Sequence, residues 1–220
     1  VPGGGCAFCR GPAQGVMQSS WIKSPTGRRV IGHWADSRPA WLWSADGQIL
    51  IWHNRAAPLF HGTSRRRSSS GEIVPLKGQI ARLIRLGSSN RASLSRMQFL
   101  VDDRPVSATC ACTPLSLDDG APALLVVAVD PVDGEALADL PIHDPRVESL
   151  LPPDTAYLLL DPHGTPIASS GGAAAVLLPA VQNEDGAAFD AEGNGRIETA
   201  TGPLPVLRLK ASPKGATLLL

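Results

Sequence analysis

Two stretches of the chain read as versions of one phrase, and an internal repeat constrains a fold more than any single residue does. The first is Ala40-Trp41-Leu42-Trp43-Ser44-Ala45-Asp46-Gly47-Gln48-Ile49-Leu50-Ile51-Trp52-His53-Asn54-Arg55-Ala56-Ala57: an apolar run, an Asp-Gly turn, a second apolar run, then a helix start. The second is Tyr157-Leu158-Leu159-Leu160-Asp161-Pro162-His163-Gly164-Thr165-Pro166-Ile167-Ala168-Ser169, which runs into an Ala-rich stretch from Gly172 to Val181. Asp-Gly supplies the turn conformations that join two short strands, so the first phrase predicts a β-hairpin.

The pattern around these phrases sets an order of elements. Val1 to Ser37 is rich in Gly, Ser and Pro and shows no period beyond one short strand near Arg29 to Trp34, so 1–37 reads as a flexible N-terminal segment. Asn54 suits the N-cap of a helix over Arg55 to Phe60 that stops at Gly62. Leu76, Ile80, Leu83 and Ile84 recur at helical spacing and predict an amphipathic helix over Leu76 to Leu86. Strand-like runs follow at Ala92 to Val101, Pro105 to Leu115 and Ala123 to Val129. A Pro- and acid-rich linker covers 132–153, with a short helix around Glu135 to Leu140. The region 154–220 then repeats the plan: a hairpin, a helix over Ala173 to Val181, an acidic loop from Gln182 to Gly195, and strands near Arg196 to Thr201, Val206 to Ala211 and Ala216 to Leu220. This order describes an α+β protein with antiparallel sheet and helices to one side.

Net charge is zero, but it is unevenly spread. Val1 to Arg104 holds 15 Lys/Arg against 5 Asp/Glu, and Pro105 to Leu220 holds 5 against 15. Either the two halves differ in surface composition, or opposite surfaces attract within the chain or between protomers. The basic residues are scattered rather than gathered with stacking aromatics, which argues against nucleic acid. No stretch approaches the roughly 20 apolar residues of a membrane span, and no signal peptide is visible. With four Cys and no export signal, a cytoplasmic protein with reduced thiols is expected. The start, Val1-Pro-Gly-Gly-Gly, lacks an initiator Met, so an excerpt of a longer protein is expected.

Trp43-Ser44-Ala45-Asp46-Gly47-Gln48-Ile49, Asn54-Arg55-Ala56-Ala57 and Leu59-Phe60-His61-Gly62 together resemble the PAS family of sensor domains. Ser44 stands where the family has an acidic residue, and Gly47 to Asn54 is one residue longer than usual, which a bulge would absorb. The resemblance covers Arg38 to Pro131 and is weak over Asp154 to Leu220. It implies a PAS-like sensor domain at 38–131 and a second, shortened, degenerate one at 154–220. The Trp-Leu-Trp-Ser-Ala-Asp-Gly wording and the tandem arrangement are most similar to the sensory region of alphaproteobacterial sensor histidine kinases. The chain itself holds no phosphoacceptor-His helix and no ATP-binding boxes.

Trp41 and Trp43 share one face of a strand by their spacing, with Trp52 on the partner strand. The three either form one wall of the core or line a ligand cavity between sheet and helices. Cys110 and Cys112 also share a face, where buried inert thiols are the default. Cys6-Ala7-Phe8-Cys9 has the gap of a zinc knuckle, but the Cys110/Cys112 pair has the wrong gap to complete it, and no helix start follows Cys9 to activate a thiol. His33, His53, His61, His143 and His163 are dispersed. His61, at a helix end, either faces solvent or is the one that the haem-binding members of the family would point to. The Asn-Cys motif of flavin-binding light sensors is absent, as are nucleophile-elbow, zincin and P-loop motifs. Arg65-Arg66-Arg67 beside Ser68-Ser69-Ser70 reads as a solvated loop or an anion or regulatory site.

The expectation is therefore a non-catalytic input module with no metal and no defined cofactor. It would be homodimeric, would detect a small molecule or a regulatory protein, and would relay to a kinase outside the chain. The alternatives are an interaction or dimerisation module whose cavity is filled by its own side chains, and a Cys-based zinc or redox protein.

Overall fold

The first hairpin forms where the repeated phrase places it, and its turn shows why. In the computed structural model, which describes residues 19–62, 73–101, 104–138, 151, 155–170, 172–182, 187–199 and 202–220, β1 is Ala40–Ser44 and β2 is Leu50–His53. Between them Asp46 Oδ1 accepts the Gln48 N–H at 3.0 Å and the Ser44 hydroxyl at 2.6 Å, and Ser44 Oγ accepts the Ile49 N–H at 3.0 Å. Gly47 sits at φ +71°, in the left-handed region that a side chain resists. The pairing runs Trp41 to His53 and Leu42 to Trp52, then slips so that Trp43 faces Leu50. Ile51 is the extra residue, and this bulge absorbs the added length expected from the sequence.

A short 3-10 turn covers Ala57–Gly62, followed by β3 (Ile73–Pro75) and α3 (Gln79–Leu86), then β4 (Ser93–Val101), β5 (Arg104–Ser116) and β6 (Pro122–Ala128). The expected helix over Arg55 to Phe60 takes this 3-10 form because Pro58 and the non-helical Phe60 and His61 interrupt it. The helix expected from Leu76 begins at Gln79 instead, since Leu76 still donates to the Gln98 carbonyl and Gly78 turns the chain at φ +81°. After β6 comes a short helix, α4 (Gly134–Ala138). The second half contributes β7 (Leu158–Leu160), β8 (Pro166–Ser169), α5 (Ala173–Gln182), β9 (Ala187–Phe189), β10 (Asn194–Thr199), β11 (Gly202–Lys210) and β12 (Thr217–Leu219). Strand β9 lies in the stretch read from the sequence as an acidic loop; at three residues it is too short to show a period.

All pairings are antiparallel, and they build two six-stranded sheets. The orders are β2-β1-β6-β5-β4-β3 and β8-β7-β12-β11-β10-β9. Counted from each sheet's own first strand, they are the same order. The second hairpin repeats the first turn's chemistry too: Asp161 Oδ1 accepts the N–H groups of His163 and Thr165, both at 2.8 Å. The second half is thus shorter in residues while its sheet has the full strand order of the first.

The reading of 1–37 as a flexible segment is overturned over residues 19–37, and its first part, 1–18, lies outside the described residues. α1 (Ser19–Lys23) and α2 (Pro25–Ile31) form there, and Trp21, Ile22, Val30, Ile31 and Trp34 are each at most 3% exposed. Ser24 caps α2 by accepting the Gly27 N–H at 3.0 Å, and Pro25 occupies the first helical position, where its missing N–H is harmless. The Ser-Pro-Thr-Gly run that looks like linker is a helix start, and Arg29 to Ile31 is helical rather than extended.

The two helices sit in one core cluster with residues of both sheets: Leu42, Trp52, Leu125 and Val127 from the first, and Leu159, Leu207, Leu209 and Leu218 from the second. Trp34 meets Tyr157 with ring centroids 5.9 Å apart, and Ala35 donates to the Ala211 carbonyl at 2.9 Å. The opposite face of the first sheet packs against Ala57, Phe60 and Ile80, and the opposite face of the second against Ala173 and Leu177 of α5. Both faces of the first sheet are therefore covered at β1 and β6, rather than one. This is why Ala40, Trp41, Leu42 and Trp43 are all buried in succession. No helix among the described residues is long and apolar enough to cross a membrane.

Candidate functional site

The three Trp expected to form one wall stand on two faces. Cross-strand partners project to the same side of a sheet, so Trp52, paired with Leu42, faces the core between the sheets. Trp41 and Trp43 face the helix side. There Trp41 meets Phe60 edge-on at 5.0 Å and Phe99 at 5.4 Å, and Phe60 meets Phe99 at 5.3 Å. These rings fill the space between the sheet and the 3-10 turn. The indole N–H groups of Trp43 and Trp52 are buried and make no hydrogen bond among the described residues.

Phe60 also borders a cleft of about 390 Å³ between the 3-10 turn and the segment that follows β6. Leu59, Phe60 and His61 line one side, Val132 and Ala136 the other, with Asp130 and Asp133 supplying carboxylates. His61 adopts φ +53° and stacks edge-on against Phe60 at 4.3 Å, which places its exposed ring at the rim. The far wall is tied down by the Val132 N–H to the Ser37 carbonyl at 2.8 Å and by Arg55 Nη2 to the Leu137 carbonyl at 3.1 Å. An aromatic floor with a carboxylate rim suits a small ligand that is part apolar and part cationic.

The turn beside this cleft is anchored by Asn54, which is fully buried. Its Oδ1 accepts the N–H of Ala40 at 3.0 Å and of Ala57 at 3.1 Å. Its Nδ2 lies within hydrogen-bond distance of the carbonyls of His33, Asp36 and Arg38 at 3.0, 3.2 and 2.8 Å. The residue expected as a helix cap does cap the turn, and it also ties that turn to the end of the α2 segment and the start of β1. Next to it Asp36, 4% exposed, accepts from His33 Nδ1 at 3.0 Å and from Arg38 Nη2 at 2.7 Å. Burial pushes the Asp36 carboxyl up, but the hydrogen bonds from His33 and Arg38 outweigh it and hold it well below the usual carboxylate range. The sequence signal for this cluster was limited to the spacing of Asp36, Arg38 and Asn54 around an apolar strand.

Cys110 and Cys112 are buried on the helix-side face of β5, and burial pushes both thiols up to about 12. Such thiols hold little thiolate, the attacking form, at neutral pH. Cys6, Cys9, His143, Arg65 to Arg67 and Ser68 to Ser70 lie outside the described residues. Among the described residues no cluster of three His, Cys, Asp or Glu could hold a metal ion. His33 and His53 are engaged structurally, His53 Nδ1 lying 2.9 Å from the Asn54 carbonyl, and His163 is exposed on the second hairpin turn. Two ion pairs among the described residues fall on Asp36.

No protein-family model matches the chain, and no curated protein matches it. Among solved structures, the chain is similar to the PAS domain of an HTR-like protein from Haloarcula marismortui, at 13% identity and a TM-score of 0.33. The overlap covers 49% of this chain and 92% of that one. Family membership does not follow from a likeness this distant.

Proposed function

We propose that the chain is a non-catalytic sensory input region built of two PAS-like units. The single observation that carries the reading is the shared strand order of the two sheets, with α1 and α2 clamped between them. A sheet whose helix-side face is closed by a short turn, and whose other face holds the flanking helices, couples the two sides through few residues. Here those residues are Phe60, at the cleft and in the aromatic core, and Asn54, which ties the turn to the helix segment. A small molecule in the cleft would favour one position of the turn, and Asn54 would pass the bias to α2 as a population shift. Output would fall to a kinase outside this chain, as in the sensory regions that the first phrase resembles, in a cytoplasmic, homodimeric protein.

The experiment is a small-molecule screen on the whole chain, read by melting temperature and by amide shifts. Binding in the cleft raises the melting temperature by mass action and shifts the amides of His61 and Val132 together with those of His33 and Arg38. Shifts confined to the cleft would sink the coupling. Fusion to the native downstream region, followed by autophosphorylation with and without the ligand, then tests the relay.

A second reading is favoured by the packing of Trp41, Phe60 and Phe99: a module that docks partners and holds no ligand, its interior filled by its own side chains. Under that reading the screen yields no cleft binder. A zinc or redox protein, the third reading, is tested by metal analysis of the purified chain.

A further inference from the structure

Strand β3 covers only part of its neighbour. It pairs with β4 at Phe99, Leu100 and Val101, after which Leu76 donates to the Gln98 carbonyl at 3.0 Å and Gly78, at φ +81°, turns the chain into α3. In an antiparallel strand the N–H and C=O of one residue point to the same side, and alternate residues repeat that direction. Gln98 points away from β5: its carbonyl accepts from Leu76 and its N–H donates to Gln79 Oε1 at 3.1 Å. By the same alternation the main-chain groups of Arg96 and Leu94 also point away from β5. Among the described residues nothing pairs with them. The open edge borders a groove of about 590 Å³ between α3 and β4.

The lining chemistry says what the groove would take. Arg82 of α3, Arg91 and Arg96 line it, and among the described residues it is lined by no Asp or Glu and none of the three arginines has an ion-pair partner. Leu86 and Leu94, also in the lining, are 69% and 71% exposed, values at odds with their apolar character. We propose that this edge is a docking site for an extended acidic peptide of a partner protein, added as a strand beside β4. Its main chain pairs with Leu94 and Arg96, its carboxylates meet Arg82 and Arg91, and its alternate apolar side chains rest on the other face against Leu94. Strand addition gives affinity through the main chain and selectivity through alternate side chains. It also explains how an exposed edge beside large apolar groups is put to use. The site is separate from the cleft at Phe60 and does not depend on the sensory reading.

The test uses the whole chain and a fluorescein-labelled peptide, Glu-Val-Asp-Leu-Glu-Val, blocked at both ends. Its controls are the same peptide with lysine for each acid and a version N-methylated at alternate residues. The acidic peptide is expected to bind at least about tenfold more tightly than either control, and to slow hydrogen exchange at the Leu94 and Arg96 amides. The double charge reversal Arg82→Glu with Arg91→Glu, both on exposed sites where folding is not at risk, is expected to weaken binding about tenfold or more. Leu94→Pro, which removes one outward N–H, should weaken binding while leaving the melting temperature close to that of the parent. Equal binding of the N-methylated peptide would overturn strand addition, as would unprotected Leu94 and Arg96 amides at saturation. Protection of those amides in the peptide-free monomer, or only in a homodimer seen by sedimentation, would overturn the partner assignment in favour of the chain itself or of a second copy.

Discussion

The side-chain amide of Asn54 lies 2.8 Å from the Arg38 carbonyl while its oxygen accepts the Ala57 N–H at 3.1 Å, so one buried side chain spans from the lead into β1 to the 3-10 turn. Five main-chain groups lie within hydrogen-bond distance of it, and two of them keep a second partner, the Ala57 N–H on the Asn54 carbonyl and the His33 carbonyl from the Asp36 N–H. Asn54→Ala leaves buried donors and acceptors without partners, each a desolvation penalty of ~1–3 kcal/mol before relaxation. The expected loss is about 2–4 kcal/mol in urea unfolding. A loss under about 1 kcal/mol would mean that water replaces the side chain and that the turn is not held this way.

Asp36 makes stability depend on acidity in one direction. Its folded carboxyl lies below the ordinary value of 3.8, so the unfolded chain takes up a proton first as pH falls. The contribution is complete above the ordinary value and is lost progressively as pH drops from there toward the depressed folded value. Asp36→Asn should flatten the pH dependence of the urea midpoint below about pH 4 while lowering stability near neutrality. An unchanged acid slope in the variant would assign the acid sensitivity to other carboxylates.

The thiols of Cys110 and Cys112 should resist modification in the native protein. Burial raises both to about 12, so little thiolate forms at neutral pH, and access requires opening of the sheet. Iodoacetamide labelling, followed by mass spectrometry of the peptide that spans both residues, is expected to be slow in buffer and complete in denaturant. Rapid native labelling would show that β5 opens readily and that the helix-side core is looser than its packing indicates.

Cutting the chain at Arg38, the boundary that composition suggests, should be harmful. It removes Trp21, Ile22, Val30, Ile31 and Trp34 and uncovers Leu42, Trp52, Leu125 and Val127. At ~25 cal/mol per Å² of apolar surface, losing five large buried side chains is worth several kcal/mol. A chain starting at Arg38 should bind the dye ANS and self-associate in sedimentation, whereas the full chain should not. Equal behaviour of the two would return residues 19–37 to the role of a passive lead.

Much of the secondary structure was legible because its causes are local. Both hairpins follow from an apolar run, an Asp-x-x-Gly or Asp-Gly turn and a second run, and the helix over Ala173–Gln182 from its composition. The bulge could be anticipated from one surplus residue. Strands β3 and β9, at three residues each, carry no period and exist because a neighbouring strand offers them partners. The helices α1 and α2 were hidden for a related reason: Ser24, Pro25 and Gly27 are equally the residues of a linker and of a capped helix start, and only burial against both sheets selects the helix.

Of the candidate site, Trp41 and Trp43 could be placed together from their spacing, but not Trp52. Its face depends on a register that slips between Leu42 and Trp43, and a slip of one residue inverts every side chain beyond it. By itself, then, the sequence determined the alternation, the turns and the repetition of one strand plan, since each is written within a few neighbouring residues. Only the tertiary structure decided that the two sheets meet across α1 and α2, that the aromatic face is filled from within, and that half of β4 is left open. Those outcomes depend on which distant apolar surfaces find each other and on where β3 runs out, and no local pattern encodes either.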